Sequence, residues 1–108
     1  MNDANAYTLQ RITAMILAPL VLIHLVVILY AIEGGLSAGE ILTRTRANFS
    51  WPLLYGLFVI TVSIHAPLGL RNIIREQTKL SGKSLDWMMI TLAAVLLITG
   101  LRAVWAIA

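Results

Sequence analysis

Few side chains in this sequence stand where chemistry could be done. His24 and His65 lie inside long uncharged stretches, and Arg11 sits at the mouth of the first. An ionisable group inside a membrane-spanning segment is costly and is a functional candidate by default. His65 opens a compact pattern, His65-Ala66-Pro67-Leu68-Gly69-Leu70-Arg71. On a helix, Gly69 falls one turn beyond His65 on the same face, and its missing side chain leaves a flat gap for a planar ligand. A neutral imidazole beside such a gap suits axial ligation of haem iron, with His65 as the metal ligand. It also suits a hydrogen bond to a neighbouring helix across small residues, a common use of intramembrane His and Gly, and both readings stand. His24 has no glycine one turn on, which favours the helix-to-helix bond for that residue. Pro67 cannot donate to the Ser63 carbonyl, so the spacing predicts a bend beside His65.

The elements that carry these groups follow from composition. Of 108 residues, 59% are hydrophobic and 12% charged, whereas soluble domains carry about 25% charged residues. The apolar residues fall in three blocks. Ile12 to Ile32 is uncharged over 21 residues, Ala47 to Leu70 over 24, and Trp87 to Leu101 over 15 before Arg102. At about 20 residues per crossing, each can span a bilayer, the third with Arg102 snorkelling to the headgroups. The predicted architecture is an all-α integral membrane protein with three transmembrane helices, about 12–32, 49–70 and 86–106, in one anchor domain over residues 1–108. Ser50-Trp51-Pro52 reads as a capped helix start at a membrane surface. Trp87 and Trp105 read as the two interfaces of the third span, and the segments around Gly34-Gly35 and Ser81-Gly82 as connectors.

Cysteine is absent, which excludes thiolate metal sites, iron–sulfur ligation by this chain and cysteine nucleophiles. The net charge of +3 comes with no basic run, so nucleic acid is not an expected partner. Arg11, Arg71, Arg75, Lys79 and Lys83 fall on one side of the three spans, and Arg44, Arg46 and Arg102 on the other. The positive-inside rule then puts the N-terminus and the 71–86 segment in the cytoplasm. His24 lies about 20 Å along its helix from Arg11, and His65 about 9 Å from Arg71. With both arginines at one surface, the histidines differ in depth by about 11 Å, too far for one iron. A second axial ligand is therefore expected from a partner chain. Arg11 and Arg71 are candidates for the carboxylates of a haem rim or for a quinone carbonyl, although arginines commonly flank spans without any ligand role.

Two segments resemble the small membrane anchor and cytochrome b subunits of succinate dehydrogenase and quinol:fumarate reductase. They are Gln10-Arg11-Ile12-Thr13-Ala14, an Arg followed by a small or hydroxylated pair, and His65-Ala66-Pro67-Leu68-Gly69-Leu70-Arg71-Asn72-Ile73-Ile74-Arg75-Glu76. The resemblance implies docking of a flavoprotein and an iron–sulfur protein on the cytoplasmic face. It also implies a second membrane anchor subunit, haem b between the two anchors, and a quinone as electron acceptor. By carry-over, His65 is the axial haem ligand, Arg11 contacts a propionate or the quinone, and Gly69 and Arg71 lie near the same pocket. Succinate chemistry belongs to other subunits, so this chain is a non-catalytic part of complex II. The family's quinone donors near these positions correspond to Tyr7 and to Glu76-Gln77 here, which leaves Tyr7 or Gln77 to donate to the quinone. The short segment before Arg11 points to a bacterial inner membrane.

Two other readings compete. One is a haem-free structural anchor of the same kind of complex, in which His65 only packs helices. The other is a small oligomeric transporter or assembly factor, against which stands the absence of Asp and Glu from all three apolar blocks.

Overall fold

The computed structural model describes residues 3–79 and 82–108. Helix α1 runs Asp3–Gly34, α2 Ala38–Arg46, α3 Ser50–Gln77 and α4 Lys83–Ile107. Three of these, all but α2, are long and apolar enough to cross a membrane, so the all-α, three-span expectation holds. At about 1.5 Å per residue even the shortest of them exceeds a hydrocarbon core of about 30 Å. Ser81, expected in a connector, lies outside the described residues.

α3 is the central helix, with α1 packed on one side and α4 on the other. α1 turns inward Ala6, Gln10, Thr13, Leu17, Leu20 and His24, all buried or half-buried. Their alternation of four and three residues is the seam of two long helices packed side by side. Antiparallel pairing with α3 follows from two cross-contacts, Thr13 with His65 and His24 with Phe58. α3 and α4 are likewise antiparallel, joined by Arg71–Asp86 near one end and Val59–Gly100 near the other. At Gly100 a Cβ would lie 2.5 Å from Val59 Cγ1, so glycine is what lets these helices approach. Ala6, Leu68 and Met89 bring α1, α3 and α4 together in a small buried cluster. Most other large apolar side chains are exposed, among them Leu22, Leu25, Val26, Leu29, Val95 and Ile98. Such a surface belongs against lipid or another apolar chain. Trp87 and Trp105 are exposed on α4, as interfacial anchors would be.

Two local features differ from the sequence expectation. The first connector contains a nine-residue helix, α2, whose N-cap Ser37 accepts from the Glu40 backbone N–H; Ser37 and Glu40 have capping-box spacing. Its approach uses Gly35 at φ 108°, with the Glu40 carboxylate occupying the position of a Cβ. Secondly, Ser50 is already inside α3, and the Asn48 Oδ1 accepts its backbone N–H at 2.9 Å. Phe49 holds the N-cap position and makes no side-chain cap bond, so Ser50 is not the cap. α3 continues as one helix through Pro67, which is buried.

Candidate functional site

The polar members of the α1 seam face the centre of α3. Thr13 is 4% exposed, and its Oγ1 stands 3.0 Å from Nδ1 of His65. The same hydroxyl donates to the Leu9 carbonyl at 2.7 Å, with the Gln10 carbonyl at 3.1 Å. His65 thus makes an interhelical hydrogen bond, as one of its two sequence readings required. The bond uses one ring nitrogen only, so this contact is compatible with the other reading. Nε2 remains the imidazole's second functional atom.

Gln10 completes the inner group. A Cβ on Gly69 would meet Gln10 Nε2 at 3.2 Å, so the space beside Gly69 is shared with an amide rather than being an open flat gap. The Gln10 Oε1 is buried and has no hydrogen-bond partner among the described residues. An unpaired buried acceptor costs about 1–3 kcal/mol, and it is the sort of atom that a donor from a ligand or partner chain would satisfy. Gln10 and Thr13 were not singled out as site residues from sequence. The signal for both is their place on the four-three seam, where a polar side chain inside a span must find a partner.

The remaining sequence candidates occupy different surroundings. Arg11 is exposed on the neighbouring face of α1, its guanidinium 6.0 Å from the centre of the Tyr7 ring. Such a cation–π contact holds both side chains near the start of the helix. Arg71 is buried and turned to α4, where its Nε donates to Asp86 Oδ1 at 3.0 Å. His65 faces α1 and Arg71 faces α4, so the two do not share one cluster. Gln77 is exposed at the last residue of α3.

His24 lies further along the seam, stacked on Phe58 with ring centroids 5.2 Å apart. Phe58 precedes His65 by two helical turns, which puts His24 about 10 Å from the His65 level. Beyond it lies a cavity of about 180 Å³ lined by His24, Tyr30, Arg44, Trp51 and Tyr55 among others. Arg44 spans its rim, donating to the Gly35 carbonyl at 2.7 Å and lying 5.9 Å from the Tyr30 ring centre. The two histidines therefore belong to separate levels of the bundle.

Three apolar helices, with a buried polar seam that holds one histidine by a threonine, define a small polytopic membrane subunit. Residues 2–101 match the family described as the succinate dehydrogenase/fumarate reductase transmembrane subunit, and the chain belongs to that family. Among curated proteins and solved structures, none matches the chain.

Proposed function

We propose that this chain anchors a succinate:quinone oxidoreductase in a bacterial inner membrane and supplies His65 as one axial ligand of haem b. The observation that carries this reading is the Thr13–His65 contact inside the span, together with family membership. The residues suit the group: a neutral imidazole with one nitrogen committed to a hydroxyl keeps the other for iron. The level difference between His65 and His24 supports a second ligand from a partner anchor subunit. When bound, haem b supplies a one-electron site within the membrane.

The chain's own residues have distinct tasks. Arg11, exposed beside Tyr7 near the seam's cytoplasmic end, offers its fork to a propionate or to a quinone carbonyl. Gln77 and Tyr7, both exposed near that end, offer hydrogen-bond donors to the quinone. Arg71 acts from behind, tying α3 to α4 through Asp86 and so fixing the helix that carries His65 and Gly69. The exposed apolar faces meet lipid and the second anchor. The flavoprotein and iron–sulfur subunits dock on the cytoplasmic side, where the N-terminus lies, and succinate is oxidised there rather than on this chain.

The test is purification of the tagged chain from its native membrane in mild detergent. Covalent flavin and iron should copurify, with succinate-dependent reduction of a quinone analogue. A chain that purifies with neither would overturn the assignment and favour a small transporter or assembly factor.

A further inference from the structure

We propose that Thr13 is a positioning residue that selects the His65 tautomer, holding the proton on Nδ1 and leaving the Nε2 lone pair for a metal. The proposal rests on the reading of His65 as the axial haem ligand. A threonine hydroxyl has one proton and two lone pairs. Two carbonyl oxygens lie within reach of Thr13 Oγ1, Leu9 at 2.7 Å and Gln10 at 3.1 Å, and carbonyls can only accept. Other hydroxyls of this chain make the same choice. Thr8, Thr43, Thr61, Ser63 and Thr99 each donate to the carbonyl four residues back, at 2.6–2.9 Å. With the Thr13 proton directed to its own helix, a lone pair faces His65 Nδ1 at 3.0 Å. Nδ1 must then be the donor, and a neutral ring protonated there is unprotonated at Nε2.

The consequence is electronic as well as geometric. A hydrogen bond accepted from Nδ1–H fixes the ring and raises the basicity of the ligating nitrogen. A more basic ligand favours the ferric over the ferrous state, which lowers the reduction potential. Burial of Thr13 keeps water from replacing the hydroxyl, so the bond cannot be supplied from solvent.

The test compares Thr13→Val, which keeps the shape and removes the hydroxyl, with Thr13→Ser, which keeps the hydroxyl. In the assembled complex, Thr13→Val should raise the reduction potential of the b-type band and weaken haem retention about 10-fold or more. Thr13→Ser should restore both. In complex purified from cells unable to make haem, nitrogen NMR of labelled histidine should show His65 protonated at Nδ1, its signals assigned by their loss in His65→Ala. A wild-type His65 protonated at Nε2, or a Thr13→Val complex with unchanged potential and haem content, would overturn the proposal. Persistence of the b-type band in His65→Ala would instead overturn the axial-ligand reading, so the two failures are told apart.

Discussion

Thr13 and His65 stand 52 residues apart in the chain and 3.0 Å apart across the α1–α3 seam. This contact gives an intramembrane histidine a fixed orientation without a charged partner. The cost of placing a polar ring in a span is thereby offset, and one ring nitrogen stays uncommitted to that bond.

The seam depends on the approach of α1 to α3 at Gly69. A Cβ there would lie 3.2 Å from Gln10 Nε2, the far end of a flexible side chain, so Gly69→Ala is expected to be nearly neutral. Gly69→Leu must displace the Gln10 side chain and separate the helices, and overpacking of this kind costs about 1–3 kcal/mol. Haem content per flavin in the purified complex should fall for leucine and hold for alanine.

Arg71 and Asp86 form an ion pair in which the arginine side chain is 9% exposed and the aspartate 34%. Removing Asp86 alone leaves a nearly buried guanidinium without that partner. Asp86→Leu should therefore destabilise the complex more than Arg71→Met does, by about 2 kcal/mol for the charge-assisted bond. The double variant should recover part of the loss. Thermal denaturation of the detergent-solubilised complex reads all three.

Gly100 of α4 lies directly against Val59 of α3. A Cβ at Gly100 would stand 2.5 Å from Val59 Cγ1, and a stiff β-branched side chain cannot swing aside. Gly100→Ala should cost about 1–3 kcal/mol, and Val59→Ala in the same chain should relieve most of it. The same denaturation measurement checks the pair.

Much of this architecture is legible in the residues, and the parts that are not have physical reasons. The blocks Ile12–Ile32, Ala47–Leu70 and Trp87–Leu101 declare three spans because a bilayer demands continuous apolar length. His65 declares itself because an ionisable ring inside a span is rare. Which face of α1 turns inward is harder to read, since lipid-facing and buried positions are both apolar. Only the small polar residues on the seam mark it. The Arg71–Asp86 pair escaped because a basic residue at a span end reads equally as a membrane anchor, a ligand-binding group or half of an ion pair. Helix α2 escaped for a different reason: its Ser37–Glu40 capping signal sits in a segment too short and polar to span.

At the opposite end, Gly35 adopts φ 108° with the Glu40 carboxylate where a side chain would begin. Gly35→Ala should destabilise the α1–α2 turn by about 1–3 kcal/mol. Protease sensitivity of the 33–46 segment in sealed vesicles should rise, with the b-type spectrum unchanged, because His65 lies at a separate level.

The central claim is that His65 holds haem b within an intact succinate:quinone oxidoreductase. Its most direct test is the dithionite-reduced minus oxidised spectrum of the complex, normalised to covalent flavin, for the native chain and for His65→Ala. The expected result is a b-type band in the native complex that is lost in the variant while flavin is retained. A native complex with flavin and no such band, or a variant that keeps the band, would contradict it.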